Sequence, residues 1–319
     1  MSKRRRIAEL TGREYLPMAA TIAMWAVVVA AIGHADAARL LAATTSIRAI
    51  QLLTKFATSP ALKRRRQAPR EVRAQARAFA INLQLAALAA ALMLVALLVE
   101  AMKLIGQHQI AAFLPFIALG MPARYLRLAD IRSTSPYDRL ALTSSGLTMM
   151  LIGWAAGWPA ALLGLAFGTR EWVAYIVLRW WPRTPPPSKV NLTEPLHFAE
   201  VARYSAILGR RLLTYRLSKA ALTMFGPFGT AAARTGRGLN WHRKIEPYVP
   251  HHFPGFVLFS LGALGTAVFL ALRSGEPAAM IGAAGLFQIG AAATNVVMLW
   301  NYLPARDGEV LPEDDDDDD

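Results

Sequence analysis

Long apolar runs constrain the fold of this chain more than any other feature of its sequence. Four of them cover residues 15–33, 79–105, 256–272 and 280–303. Each approaches or exceeds the roughly 20 residues that an α-helix needs to cross the hydrocarbon core of a membrane. Hydrophobic residues make up 55% of the chain, and its mean hydropathy is +0.32. The sequence therefore predicts an all-α fold, a polytopic integral membrane helical bundle.

Two further stretches complete the set of predicted spans. The long run 140–181 contains the turn signal Gly157-Trp158-Pro159, which divides it into two helices of membrane length, a helical hairpin. Residues 109–126 form a shorter candidate that contains Pro115 and Pro122. Membrane helices tolerate proline where neighbouring helices satisfy the freed carbonyl groups.

The positions of the basic residues predict the topology. Residues 3–6 and the segment 63–77, which carries seven basic residues and one acidic residue, are both expected on the cytoplasmic side. An even number of crossings must separate them, so residues 37–57 are predicted to span the membrane despite Arg48 and Lys55. The result is about eight spans with both termini cytoplasmic. The alternative is that residues 37–57 lie flat at the membrane surface as an amphipathic helix.

The predicted spans divide the chain into five segments. They are a basic cytoplasmic N-terminus (1–14), a six-helix membrane lobe (15–181), a basic cytoplasmic loop with an amphipathic helix at 196–222 (182–253), a two-helix membrane hairpin (254–303) and an acidic, disordered tail (304–319).

The formal net charge of +14 is expected to attract anionic lipid at the cytoplasmic leaflet, and nucleic-acid binding explains it less well. The sequence contains no cysteine, which excludes disulfides and thiolate chemistry.

One face of the second predicted span carries the main functional signal. Two hydrogen-bonding and two cationic side chains follow one another there at helical spacing: Thr44, Arg48, Gln51 and Lys55. A cation inside a membrane costs free energy unless it faces a partner or a wet cavity. This polar stripe therefore predicts a transport path for an anionic substrate.

A pair of ionisable residues, Arg170 and Glu171, falls near the middle of the sixth predicted span. Charges at the midplane of a membrane are functional candidates by default, so we expect both residues to join the stripe in binding substrate. The alternative is structural, with Glu171 pairing with Arg48 or Arg170 and locking the helices together.

Other charged residues are interpreted as structural or solvated. Arg124, Arg127 and Asp130 belong to a cluster between the fourth and fifth predicted spans, which is expected to form a solvated cytoplasmic turn. No sequence motif indicates a metal site, a cofactor or a catalytic nucleophile, so we predict that the protein is not an enzyme.

The first six spans, residues 15–181, resemble one lobe of the multidrug and oligosaccharidyl-lipid flippase superfamily, particularly its polysaccharide-export branch. The shared features are a basic N-terminus, a charged second span, a basic connection at 63–77 and a hairpin before a charged sixth span. The resemblance implies a central cavity whose arginines, here Arg48 and Arg170, hold the pyrophosphate of a polyprenyl-linked glycan. Members of that superfamily have two six-helix lobes, so a complete cavity would need a second subunit.

Two functions are consistent with these patterns. The first is a flippase-like transporter of the cytoplasmic (inner) membrane that moves an anionic lipid-linked substrate, acting alone or as a homodimer. The second is a non-catalytic accessory or assembly subunit of a larger membrane complex. Short loops and frequent alanine and arginine are typical of a bacterial protein, which is why the inner membrane is predicted.

Overall fold

The computed structural model describes residues 3–130, 136–180 and 192–209, with isolated positions beyond them. In chain order the helices are α1 (Lys3–Thr54), α2 (Thr58–Lys63), α3 (Arg70–Leu104), α4 (His108–Ala118), α5 (Met121–Leu128), α6 (Pro136–Ala155) and α7 (Leu165–Trp180), the last preceded by the 3₁₀ turn Ala160–Gly164. Residues 198–209 form a further helix, α8. The predicted hairpin 254–303, the tail 304–319 and most of the loop 182–253 lie outside the described residues.

Several helices are long and apolar enough to cross a membrane. Ala19–Thr54, Arg70–Leu104 and Ala160–Trp180 meet that requirement, and α4 with α5 adds a fourth if the pair, bent by 45°, is one span. The all-helical class is confirmed for the described residues, and the apolar helices indicate a membrane-embedded protein. Fewer spans appear than the six predicted, because the apolar part of α6, Ala141–Ala155, is short and because α1 is one element with a break.

The break divides α1 into two arms. Gly33 has φ 77° and ψ 170°, a conformation outside the helical region that glycine adopts without strain. The first arm covers residues 3–32 and the second arm covers residues 34–54. The sequence predicted one span that ends at residue 33 and a second over residues 37–57, whereas the second arm begins directly after Gly33 and ends at Thr54.

The second arm of α1 runs from one end of the bundle to the other. Near its start the Arg39 guanidinium donates a hydrogen bond to Gln109 Oε1 in α4. At its end the side chain of Thr54 hydrogen-bonds to the hydroxyl of Tyr125 in α5. At 1.5 Å per residue the arm is about 31 Å long, close to the thickness of a hydrocarbon core.

In its middle the same arm is buried on every side. Four successive side chains are buried there: Ala42, Ala43, Thr44 and Thr45. An amphipathic surface helix leaves one face exposed, whereas a helix that is hidden all round belongs to a core. This burial disfavours the alternative in which residues 37–57 lie flat at a membrane surface.

Glycine turns follow α3 and α6. Gly106 and Gly157 have φ angles of 76° and 66°. At the second turn the N–H of Gly157 donates to the carbonyl of Trp154 at 3.0 Å, and the N–H of Trp158 donates to that of Gly153 at 2.9 Å. These two bonds define a Schellman motif, which ends a helix with glycine in the left-handed conformation. The long apolar run is thus divided at the predicted turn, although the apolar part of its first helix, Ala141–Ala155, is shorter than the predicted membrane length.

The helices α4 and α5 form one bent element. The bend falls at Leu119 and Gly120, and Pro122, which has no N–H group, lies in the first turn of α5. The carbonyl of Leu119 accepts a hydrogen bond of 2.8 Å from the indole N–H of Trp172 in α7. The predicted short span 109–126 is therefore a bent pair in which a neighbouring helix supplies a donor at the bend.

Helix α8 packs on the end of the bundle formed by α2 and the start of α3. Val201 is fully buried and Leu196 is 6% exposed, and both join a hydrophobic cluster with residues of α2 and α3. The N–H of Ala57 donates a hydrogen bond of 2.7 Å to Ser205 Oγ in α8. The sequence predicted that the helix 196–222 lies in the membrane interface, whereas its described part buries its apolar face against the protein.

A buried arginine anchors α8. Arg65 is 2% exposed, and its guanidinium donates hydrogen bonds of 3.0 and 2.6 Å to the two carboxylate oxygens of Glu200. It also donates to the carbonyl oxygens of Ala61, Glu194 and Pro195 at 2.8 to 3.1 Å. These five bonds use all five N–H donors of the side chain, so Arg65 has a structural role.

Candidate anion-binding site

The predicted polar stripe lies in the interior of the bundle. Thr44 and Gln51 are each 4% exposed, and Arg48 is half-buried. The Thr44 hydroxyl donates a hydrogen bond of 2.8 Å to a backbone carbonyl of its own helix. Gln51 Oε1 is buried and receives no hydrogen bond within the described residues. Lys55 follows the last residue of the helix and lies in the connection to α2.

Three arginines lie within 4 Å of the carboxylate of Glu171, and a fourth, Arg48, lies near enough to interact with its charge. Its Oε2 accepts a hydrogen bond of 2.5 Å from Arg127 Nη2. Its Oε1 lies 3.7 Å from Arg124 Nη1 and 3.9 Å from Arg170 Nε. Arg48 also interacts favourably with the Glu171 charge. We call these five residues the Glu171 cluster; the carboxylate side chain at its centre is 12% exposed and lies near the middle of the last candidate span.

Three of the six site residues that the sequence predicted belong to this cluster. Arg48, Arg170 and Glu171 lie together as expected. The closest partner of Glu171 is Arg127 of α5, however, and not Arg48 or Arg170, which the structural interpretation favoured. The ion pair therefore joins α7 to α5.

Arg124 and Arg127 are the site residues that sequence reasoning missed. The sequence analysis assigned both to a solvated cytoplasmic turn, whereas the structure places them on α5 with their guanidinium groups against α7. Two signals pointed to a helix there. Proline, as at Pro122, is typical of the first turn of a helix, and spacing of three residues puts two side chains on one face.

Glycines bring α7 close to the bend between α4 and α5. A Cβ atom on Gly120 would lie 2.6 Å from the carbonyl oxygen of Gly168, and one on Gly168 would lie 2.7 Å from that of Phe116. Gly164, in the preceding 3₁₀ turn, and Gly168 of α7 thus both face the bent pair. This close contact sets the distance across which Arg124 and Arg127 reach Glu171.

The Glu171 cluster contains four arginines and one carboxylate. The charges of Arg124 and Arg170 interact unfavourably with each other. In the part of the chain that the structure describes, Glu171 is the acidic partner of both, yet its hydrogen bond goes to Arg127. The Arg170 guanidinium also lies 5.3 Å from the centre of the Phe167 ring. An anion between Arg124 and Arg170 would offset their repulsion and form charge-assisted hydrogen bonds with both.

Comparisons with known proteins do not place the chain in a family. No protein-family model, curated protein or solved structure matches it. The function must therefore follow from the chemistry of the Glu171 cluster and from its position in an apolar helical bundle.

Proposed function

We propose that the protein is a multi-pass carrier of the cytoplasmic (inner) membrane that moves an anionic lipid-linked substrate. The observation that carries the proposal is the position of Arg124 and Arg170, two cations that share a carboxylate already hydrogen-bonded to Arg127. Phosphate oxygens suit such guanidinium groups, which bind them in bidentate geometry. A polyprenyl-pyrophosphate-linked glycan, the substrate implied by the resemblance to flippases, has this chemistry.

In this proposal the chain crosses the membrane about eight times with both termini in the cytoplasm. The length of the second arm of α1 and the burial of its middle support a crossing by residues 37–57. The Arg39–Gln109 hydrogen bond brings the start of that arm to the start of α4, which follows the glycine turn at Gly106. The basic segment 63–77 comes after the other end of the arm, and the positive-inside rule assigns that end to the cytoplasm.

Movement of the head group across the bilayer is the step of such transport that costs the most free energy, because a phosphate loses its hydration on entering the bilayer. Arg124 and Arg170 bind the phosphate, while the Arg127–Glu171 pair fixes α5 against α7. Arg48 adds positive charge from the second arm of α1. Gln51 lies three residues further along the same helix, and its Oε1, which has no partner among the described residues, can accept a hydrogen bond from a sugar hydroxyl. The lipid tail stays in the bilayer while the site opens to each side in turn.

Binding of undecaprenyl pyrophosphate to the purified protein in detergent tests the anion site. Arg124→Gln and Arg170→Gln should each weaken binding by about tenfold or more, because each removes a hydrogen bond to a charged group. The matched control is Lys103→Gln, which removes an exposed cation that pairs with Glu100 at 2.8 Å near the end of α3. The control should bind as the unmodified protein does. Unchanged binding in both arginine variants would contradict the proposal.

Transfer of a lipid-linked glycan across reconstituted vesicles tests the second half of the proposal. Arg48→Gln should abolish transfer without preventing insertion of the protein into the membrane. The reason is that the amide keeps hydrogen-bonding capacity but removes the charge that attracts the head group. Normal transfer by this variant would exclude Arg48 from the transport path.

The alternative proposal is an accessory or assembly subunit of a larger membrane complex. Exposed apolar side chains on α3 give it a specific basis, because Met93 and Leu97 are 68% and 66% exposed and contact either lipid or a partner. Purification in mild detergent distinguishes the two proposals. A monomer or homodimer that binds undecaprenyl pyrophosphate supports the carrier, whereas a defined complex without such binding supports the subunit.

A further inference from the structure

A second basic site lies outside the Glu171 cluster, in a cavity at the end of the bundle. The cavity has a volume of about 320 Å³ and lies between the start of α3, the connection from α2 and the residues that follow α5. Five arginines and one aspartate supply its charged lining: Arg65, Arg66, Arg70, Arg73, Arg77 and Asp130. We call this cavity the arginine pocket.

Three of these arginines are available to a ligand. Arg65 is buried and already bound to Glu200. Arg70, Arg73 and Arg77 are exposed and form no ion pair within the described residues. Their spacing of three and four residues puts them on one face of α3, and that face lines the pocket.

The position of the pocket along α3 matches the level of lipid head groups. The apolar part of the helix begins at Phe79, whereas the helix itself begins at Arg70. At 1.5 Å per residue, Arg77 lies about 3 Å and Arg73 about 9 Å beyond Phe79 along the helix axis. The head-group layer on each side of a bilayer is about 5 to 7 Å thick. Arg77 therefore lies within the head-group layer, and Arg73 lies about 2 to 4 Å beyond its outer edge, within the length of a flexible arginine side chain.

We propose that the arginine pocket binds the phosphate of an anionic phospholipid of the adjoining leaflet. A cavity of this size is at the lower end of the range for small-ligand sites, so it accommodates one head group and not a whole lipid. Free phosphate has the same chemistry, but a phospholipid presents its phosphate at the depth where the pocket lies, and basic clusters beside a membrane attract anionic lipid. No residue of the Glu171 cluster lines the pocket, so the two sites are distinct.

Native mass spectrometry of the full chain in nanodiscs of mixed phosphatidylglycerol and phosphatidylcholine tests the proposal. We expect the unmodified protein to retain phosphatidylglycerol in preference to phosphatidylcholine. The double substitution Arg73→Gln and Arg77→Gln should lower that retention about thirtyfold, since each arginine near a membrane surface contributes about fivefold. Lys103→Gln, at the other end of α3, should keep the native preference.

The charge-preserving double variant, Arg73→Lys and Arg77→Lys, controls for folding and should keep most of the retention. Binding of undecaprenyl pyrophosphate to the glutamine double variant should be unchanged, which separates this site from the Glu171 cluster. Equal retention of phosphatidylglycerol by the glutamine double variant would overturn the proposal, as would the absence of a preference in the unmodified protein. Displacement of phosphatidylglycerol by an equimolar amount of inorganic phosphate would show that the pocket prefers the free anion and would overturn the lipid assignment.

Discussion

At the scale of single residues, Glu171 is the position where a change of charge has the largest predicted effect. Glu171→Gln keeps the shape of the side chain but removes the acidic contact of Arg124 and Arg170 and weakens the hydrogen bond from Arg127. Removing one partner of a buried ion pair costs about 3 to 5 kcal/mol, and the partial exposure of these arginines reduces the expected loss to about 2 kcal/mol. Thermal unfolding in detergent, followed by tryptophan fluorescence, measures the change.

Glu100→Gln is the control for that measurement. Glu100 pairs with Lys103 on the surface, where its side chain is 67% exposed, so the loss should stay below about 0.5 kcal/mol. Equal unfolding temperatures for the two variants would mean that the Glu171 cluster contributes nothing to stability.

Arg65 provides a second prediction at this scale. Arg65→Gln leaves the Glu200 carboxylate and three backbone carbonyls without their donors, so α8 should detach from the end of the bundle. Limited chymotrypsin digestion should then cleave near Phe198 and Tyr204 faster than in the unmodified protein. Arg70→Gln removes an exposed arginine nearby and should leave the cleavage rate unchanged. Identical digestion of both variants would show that Arg65 does not anchor α8.

At the scale of elements, the contact between α7 and the α4–α5 bend aligns the Glu171 cluster. Gly120→Ala would put a Cβ atom 2.6 Å from the Gly168 carbonyl oxygen, so the helices must move apart. Overpacking of this kind costs about 1 to 3 kcal/mol. We expect a lower unfolding temperature and weaker binding of undecaprenyl pyrophosphate.

Gly146→Ala is the matched control, because its Cβ atom would meet only ordinary contacts, 3.4 Å from Met24 Sδ, 3.5 Å from the Ala166 carbonyl oxygen and 3.8 Å from Arg170 Cδ. Alanine replaces glycine inside a helix there, so the unfolding temperature should not fall and binding should be retained. If Gly120→Ala behaves in the same way, the glycine contact does not control the geometry of the cluster.

The elements differ in how far the sequence predicts them. The apolar runs of α3 and α7 and the turn at Gly157 follow from residue type alone, because hydrophobic length and a left-handed glycine act locally. The role of Arg124 and Arg127 does not follow from local pattern, because the same charges suit a solvated turn equally well. Only the packing of α5 against α7 distinguishes a solvated turn from a contact with Glu171. For the same reason the sequence identified Arg48, Arg170 and Glu171 as site residues but did not predict which arginine lies closest to Glu171.

At the scale of the whole molecule, the decisive question is whether the second arm of α1 crosses the membrane. The chain has no cysteine, so one introduced cysteine is a unique label in an otherwise unmodified protein. Ala35 lies just after the break at Gly33 and Gln67 lies in the connection before α3, and both are exposed. Ala43, between them, is fully buried and should react from neither side before denaturation.

In intact cells, a membrane-impermeant maleimide should label Ala35→Cys from outside the cytoplasmic membrane, and it should label Gln67→Cys only after the membrane is opened. We expect the two positions to react from opposite sides because the arm between them is about 31 Å long, which is the length that a spanning helix requires, and because its middle is buried among other helices. If both positions react from one compartment, the arm does not cross. The polar stripe would then lie at the membrane surface, where Arg48 needs no anionic substrate to balance its charge, and the carrier proposal would lose its physical basis.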